Sequence, residues 1–286
     1  MYFNTPLRYP GGKGKLTDYI KLLFVQNDLI GGEYCEPYAG GAGIAINLLL
    51  DGYASAIHLN DLNRGVYSFW QSILSWPDEF CARVDEVPVN MDEWYRQREV
   101  AFDDTSSEFE LGFATFFLNR CNRSGIIKGG VVGGKSQAGP WKLDARFKKE
   151  DLISRIKRIA LRSDQIHVYN RDAADLITEV LPGLPQNALV YLDPPYYVKG
   201  AGLYQNFYEH EDHERIAKLV RTKIALPWLV SYDYAPEILD MYRGCHTISC
   251  GINYSAQNRY KGAEAMFFSP KLEIPDIQNP ANIRAA

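Results

Sequence analysis

The sequence predicts an α/β fold built on a nucleotide-binding unit and interrupted by a mostly helical insertion. Three observations predict it. A short strand at Tyr34-Cys35 runs into the loop Glu36-Pro37-Tyr38-Ala39-Gly40-Gly41-Ala42-Gly43. An apolar helix and a second strand ending at Asn60-Asp61 follow. Strand, glycine loop, helix, strand and acid is the opening of an α/β nucleotide-binding unit. Far downstream, the apolar run Ala188-Leu189-Val190-Tyr191-Leu192 ends on Asp193-Pro194-Pro195-Tyr196. A strand there sets a carboxylate, two prolines and an aromatic ring at its C-terminal edge, where open α/β sheets place their chemistry. Between the two, residues 64 to about 118 repeat apolar side chains at helical spacing.

In chain order, residues 5–15 form a glycine- and lysine-rich loop, and Leu16 to Val25 a helix. Ile44 to Leu50 reads as a helix and Ala54 to Leu59 as a strand. Val66, Phe69, Trp70, Ile73 and Leu74 mark one helical face; Trp94, Phe109, Phe113 and Phe117 mark later ones, read as core packing. Residues 119–142 lose periodicity and carry glycines at 125, 129, 130, 133, 134 and 139, which suits a surface loop or tight hairpin. Leu152 to Leu161 is a basic amphipathic helix, Gln165 to Tyr169 a strand leading to Asp172, and Ala173 to Leu181 a helix. His210 to Lys223 is a helix and Trp228 to Ser231 a strand. Cys245 to Ser249 and Ala265 to Phe268 read as an antiparallel pair, with a polar tail from Ile274. The expected division is a catalytic and cofactor-binding domain of residues 1–66 and 151–286, with a domain at 67–150 inserted into it.

A chain of 286 residues with 46% hydrophobic content can bury a sizeable core. Its net charge of −4 argues mildly against a generic nucleic-acid binder, although the local field matters more than the sum. Five scattered cysteines without a CxxC pair favour reduced thiols in a cytoplasmic compartment. No segment approaches the ~20 apolar residues of a membrane span. Five histidines without an HExxH pattern argue against a catalytic metal.

The chemistry of the first half points to one ligand. The segment GGAG after Glu36-Pro37 departs from the GxGxxG spacing of a pyrophosphate site, and Glu36 has the wrong charge for one. Glu36 suits an ammonium group instead. Asp61 sits where an acid accepts from ribose hydroxyls, and Asp172 is placed to accept from an adenine amino group. Three acids with Gly40, Gly41 and Gly43 fit an adenosine carrying a cationic amino-acid tail and no phosphate, which describes S-adenosylmethionine. Lys13 is a candidate for its carboxylate tail. Tyr9 is a candidate to pack on the adenosine or sulfonium, a cation over an aromatic face being attracted by ~0.5–2 kcal/mol.

With these motifs in order, the sequence resembles the Dam-like, or D12 class, adenine-specific DNA methyltransferases. PLRYPGGKGK resembles their N-terminal cofactor motif, EPYAGGAG their glycine loop and LNDLN their ribose-binding segment. FLNRCNRSGI resembles the start of their DNA-reading loop, DPPY their catalytic motif, and WLVSYDY and TISCGINYSAQNRYKGAEAMFF their later strand and hairpin. The resemblance covers about residues 5–270. It implies a Rossmann-like methyltransferase fold with a mixed sheet, an inserted, mostly helical target-recognition domain, and methyl transfer to adenine N6 in double-stranded DNA. The recognition stretch GIIKGGVVGGKSQAG is unusually rich in glycine, so the GATC target of well-known members does not carry over.

On this reading the target adenine leaves the stack. Asp193 and the Pro194 carbonyl accept from its amino group, Pro195 stiffens the turn, and Tyr196 stacks on the ring. Positioning is the main contribution. For DNA the candidates are Arg120, Asn122, Arg123, Lys128 and Lys135, with Arg123 as a base reader and the lysines on phosphates. Asn258, Arg259 and Lys261, in the late hairpin, are further candidates. The reading expects a monomer; a dimer on DNA and a cognate restriction endonuclease stay open. The alternatives are an amino-group methyltransferase acting on cytosine N4, RNA adenine or a protein glutamine, and a non-catalytic DNA-binding relative. A nicotinamide dehydrogenase fits the glycine spacing and Glu36 poorly.

Overall fold

Alternation of apolar runs with polar strand ends builds one sheet, and the computed structural model describes residues 4–8, 13–198, 208–254, 260–277 and 279–282 of the chain. The strands are β1 Gly32–Glu36, β2 Ala54–Asn60, β3 Ile166–Tyr169, β4 Leu189–Leu192, β5 Trp228–Asp233, β6 His246–Tyr254 and β7 Tyr260–Phe268. They lie in the order β3-β2-β1-β4-β5-β7-β6. The pairs from β3 to β5 are parallel, and β7 runs antiparallel to both β5 and β6. The sheet is therefore mixed and α/β, as the sequence predicts.

The helices are α1 Thr17–Gln26, α2 Gly43–Leu50, α3 Arg64–Ser75, α4 Pro77–Glu86, α5 Met91–Ala101, α6 Glu108–Cys121, α7 Lys149–Ala160, α8 Ala173–Asp175, α9 His210–Lys223 and α10 Pro236–Met241. Their starts follow sequence signals. Asn63, Asn90 and Ser107 accept from backbone N–H groups at the starts of α3, α5 and α6. Glu209 and Asp212 form a reciprocal capping box on α9.

Contacts divide the chain into two units: Met1–Gly12 with Asn63–Asp164, and Lys13–Leu62 with Gln165–Ala286. The second holds the whole sheet. Every residue of β4 is buried, which is why its sequence is continuously apolar rather than alternating. Val190, Leu192, Trp228, Val230, Phe267 and Tyr242 form part of one core with the buried face of α9. The first unit is helical. Its core stacks Phe69 on Phe116 with ring centroids 5.8 Å apart and sets Phe80 edge-on to both. The aromatics read as core packing are core: Trp70, Trp94, Phe113 and Phe117 are buried. The α3–α6 pair is close enough that a Cβ on Gly112 would lie 2.5 Å from the Ser68 carbonyl oxygen.

Several expectations change. The basic helix α7 belongs to the helical unit, where Leu152, Ile156 and Ile159 are buried and α7 packs on α3 and α4. The helix expected from Ala173 to Leu181 is α8 followed by a π turn at Leu176–Val180 and a 3-10 turn at Leu181–Gly183. Pro182 supplies no N–H to a regular ladder there. The α10 helix escaped the reading because it is six residues long and begins on Pro236. Both late strands extend well beyond the expected runs, toward the hairpin tip.

Candidate active site

Four strand ends of the sheet-bearing unit gather the predicted acids. Glu36 closes β1 and is 5% exposed, its Oε1 accepting from the Ala45 N–H at 3.2 Å. Burial raises its carboxyl to about 8, opposed by the Tyr34 hydroxyl and Ala45 N–H and assisted by the charge on Asp193. The glycine loop turns through positive φ at Gly40 (47°) and Ala42 (45°). Gly40 is suited to that region, whereas Ala42 occupies it at a steric cost. The Gly40 N–H donates to Asp61 Oδ2 at 2.9 Å, so the acid after β2 is joined to the loop after β1. Asp172, after β3, uses Oδ1 to cap α8 through the Ala174 N–H at 2.8 Å.

Asn60 ties these ends together, and sequence reasoning missed it. It is 1% exposed. Its amide donates to the Pro37 carbonyl at 2.9 Å and the Arg171 carbonyl at 3.0 Å, and its Oδ1 accepts from the Arg171 N–H. Pro37 thus contributes through its backbone. The signal for Asn60 was an asparagine at the last position of β2, directly before Asp61. Glu36, Gly40, Gly41, Gly43, Asp61 and Asp172 therefore stand at adjacent strand ends. A buried acid for an ammonium group and two further acids for hydroxyl and amino groups suit S-adenosylmethionine.

The DPPY segment leaves β4 beside this set. Asp193 Oδ1 accepts from Lys13 Nζ at 2.9 Å and from Ser231 Oγ at 2.9 Å. The Tyr191 hydroxyl lies 2.8 Å from Ser231 Oγ. The single Ser231 proton goes to Asp193, so Tyr191 donates to Ser231. The Asp193 side chain keeps 24% exposure, whereas that of Lys13 keeps 4%. Lys13 Nζ also lies 3.1 Å from Glu264 Oε1 and donates to the Tyr196 hydroxyl at 3.1 Å. Burial opposes the Lys13 charge, but Asp193 and Glu264 together hold its ammonium well above the usual lysine range. Pro194 is buried, and Pro195 is half-buried.

Two assignments change here. Lys13, a candidate for the cofactor's carboxylate tail, is paired instead with Asp193 and Glu264. Tyr196 is 4% exposed and its hydroxyl donates to Glu264 Oε1 at 3.1 Å, so its ring packs inward and presents no open stacking face. Ser231, Asp233 and Glu264 were not singled out from the sequence. Asp233 accepts from the Tyr197 and Val198 N–H groups at 2.8 and 2.9 Å and so fixes the chain just after DPPY. WLVSYDY and AEAMFF carried these residues within strands, where only the neighbouring strand reveals their use.

In the helical unit, the predicted DNA candidates separate into two kinds. Arg120 is 8% exposed and its guanidinium donates to the Arg146 and Pro6 carbonyls. Asn122 is fully buried; it donates to the Ile126 and Ile127 carbonyls, both at 2.9 Å, and accepts from Trp94 Nε1 at 2.7 Å. Asn122 holds the loop and Arg120 ties α6 to residues 6 and 146, so both side chains are spent on backbone carbonyls inside the unit. Asn119 does the same work, exchanging hydrogen bonds with the Arg8 backbone and donating to the Gly125 carbonyl. Arg123, Lys128 and Lys135 are exposed. The glycine-rich stretch is a series of tight turns anchored by the Asn122–Val131 bridge. Tyr9, Asn258 and Arg259 lie outside the described residues; Lys261 pairs through its backbone with Asn253.

Among the described residues no His, Cys, Asp and Glu cluster is arranged to hold a metal ion, and no helix is long and apolar enough to cross a membrane.

Residues 9–255 match the family model of the D12 class N6 adenine-specific DNA methyltransferases, and the chain belongs to that family. It is accordingly an S-adenosylmethionine-dependent methyltransferase acting on nucleic acid. No curated protein shows significant similarity to the sequence. Among solved structures, a protein of Pyrococcus horikoshii assigned as an RNA methyltransferase is 10% identical, with 89% of this chain and 83% of that one covered and a TM-score of 0.43. The rRNA methyltransferase AviRa of Streptomyces viridochromogenes is 12% identical, with 90% and 84% covered and a TM-score of 0.39.

Proposed function

We propose that the protein methylates N6 of an adenine flipped out of duplex DNA, with the sheet-bearing unit as catalyst and the helical unit, around residues 67–150, as target reader. The observation that carries this reading is the state of Asp193. One oxygen is saturated by Lys13 and Ser231, while the side chain stays partly exposed. A carboxylate fixed in that way offers its other oxygen, Oδ2, as an acceptor for one N–H of a planar amino group. The Pro194 carbonyl accepts the second, so the nitrogen is drawn toward sp³ character with its lone pair directed away from both acceptors. When bound, S-adenosylmethionine would supply the methyl group to that lone pair and leave as S-adenosylhomocysteine, the amino nitrogen losing one proton after transfer.

The chain's own residues contribute position and field. Two donors on Oδ1 keep the Asp193 side chain correctly turned. Glu36 holds the cofactor's ammonium, Asp61 its ribose, and Asp172 its adenine amino group through the oxygen not used in capping α8. Tyr196 anchors the inner end of the motif, and stacking on its face requires residues 193–196 to open. Aspartate at 193 favours adenine over cytosine N4, whose enzymes more often carry serine there, and over glutamine, whose enzymes usually carry asparagine. The exposed Arg123, Lys128 and Lys135 are the proposed DNA contacts, and Lys261 of the late hairpin is a further candidate. A monomer suffices for the reaction, and a partner nuclease is a separate question from the chemistry.

Expression in methylation-free bacterial cells, followed by modification-sensitive sequencing of their DNA, tests the proposal. N6-methyladenine in one short sequence context, absent with Asp193→Ala, is the expected result. Soluble, cofactor-binding protein that leaves adenine unmodified overturns it.

A further inference from the structure

We propose that Glu264 is a positioning residue for methyl transfer, acting through Lys13 to restrict the catalytic carboxylate to one orientation. The inference rests on the adenine-methyltransferase reading above and assigns a role to a residue that the sequence motifs carried without a role and that reading does not use.

Glu264 lies on β7, between β5 and β6, opposite Asp233 on one side and Cys250 on the other. Its exposure is zero. A carboxylate buried this deeply is costly unless it is paired and hydrogen-bonded. Its Oε1 meets both the Lys13 ammonium and the Tyr196 hydroxyl, each at 3.1 Å. Those two groups come from distant parts of the chain: Lys13 from the turn just before α1, and Tyr196 from the end of DPPY. Glu264 meets both, and Lys13 in turn meets Asp193.

The consequence follows from valence and charge. An ammonium beside a lone carboxylate is free to straddle both of its oxygens, and doing so here would occupy the oxygen proposed for the substrate. Glu264 draws Lys13 from the other side. Lys13 then reaches Asp193 at Oδ1, the same oxygen that Ser231 holds, and the remaining oxygen stays turned outward. Two carboxylates around one ammonium also leave the cluster with one net negative charge. The Asp193 charge is felt at Glu36, the acid proposed for the cofactor's ammonium. A cationic cofactor is favoured by that excess charge over its neutral demethylated product.

Glu264→Gln preserves shape and removes the charge; Lys13→Met removes the anchored group. Methyl transfer is followed with radiolabelled S-adenosylmethionine on genomic DNA from methylation-free cells. The expected result for Glu264→Gln is a fall in kcat of about 10–100-fold with KM for the cofactor changed less than about threefold. The double variant should be no worse than Lys13→Met alone, because both act on one group. The ratio of affinities for S-adenosylmethionine and S-adenosylhomocysteine should also fall in Glu264→Gln, which a purely structural role would not produce. Wild-type kcat in Glu264→Gln, or fully additive losses in the double variant, overturns the positioning role.

A readout independent of turnover separates this inference from the functional reading. In protein labelled with carbon-13 lysine, the Lys13 ε-methylene signal, assigned by its loss in Lys13→Met, is titrated with pH. Its midpoint should fall by about one unit or more in Glu264→Gln. An unchanged midpoint overturns the proposal even if DNA is methylated. Inactivity of wild-type protein with the midpoint shift intact overturns the substrate assignment and leaves the Lys13–Glu264 coupling standing. If Glu264→Gln fails to fold, Glu264→Asp takes its place in both measurements: a shorter carboxylate should lower kcat while keeping the Lys13 midpoint high, and wild-type kcat there overturns the proposal.

Discussion

Replacing Asn122 by alanine distinguishes a residue that reads DNA from one that builds the reader. The side chain accepts from Trp94 Nε1 and donates to the Ile126 and Ile127 carbonyls, and it is fully buried. Removing it strands an indole N–H whose ring is 2% exposed, at a cost of roughly 1–3 kcal/mol. The two carbonyls belong to half-buried residues and regain water in part, adding about 1 kcal/mol between them. A total of about 2–4 kcal/mol corresponds to a fall in Tm of roughly 3–7 °C for a chain of this size. Differential scanning calorimetry measures the loss, and fluorescence anisotropy with mixed-sequence duplex DNA measures binding by the folded variant well below its Tm. The structural argument expects the larger effect in the melting. A Tm within about 2 °C of wild type, combined with a tenfold loss of DNA affinity, would refute it and restore Asn122 as a base reader.

Arg123→Ala should leave the Tm unchanged, weaken DNA binding, and, if the guanidinium meets a phosphate, reduce the salt dependence of log K by about one; a base contact instead leaves that slope unchanged and relaxes the methylated sequence, as methylome sequencing would register. Glu36 makes cofactor binding pH-dependent: free protein holds its carboxyl protonated up to about 8, and an ammonium ligand requires the carboxylate. Binding near pH 6.5 should therefore release about one proton, measured by calorimetry in buffers of different ionisation enthalpy, and Glu36→Gln should abolish that release. The same raised value means that the folded protein binds more protons than the unfolded chain between about 4.5 and about 8, so the Glu36 contribution to stability falls as pH rises through that window. Gly112→Ala drives a methyl group to 2.5 Å from the Ser68 carbonyl oxygen and should destabilise the helical unit by about 1–3 kcal/mol, seen in urea unfolding.

The parts of the fold legible in the sequence were those set by local pattern. The glycine loop, the acid after β2 and the apolar run before DPPY each combine a period with a terminator, and each forms an element within a residue or two of its expected limits. The strand-end acids were legible because parallel strands place their C-terminal ends along one edge. Residues whose role depends on a neighbouring strand were not legible. Ser231 and Glu264 are ordinary members of β-strands until the β4–β5 and β5–β7 pairings set them beside Asp193 and Lys13. Polar residues near the end of α6 misled for a related reason: in NRCNR, Asn119, Arg120 and Asn122 turn inward and Arg123 outward, and composition does not reveal which.

The position of β7 has a consequence for how the enzyme comes into being. Among the described residues it is the last strand, yet it wedges between β5 and β6. During synthesis β5 must wait with one edge unpaired, although four of the six residues in its sequence, WLVSYD, are apolar or aromatic. An unpaired edge of that kind is a site for wrong pairing and aggregation. Sheet completion therefore comes late on the ribosome, and chains cut short before residue 260 should emerge both incomplete and prone to self-association.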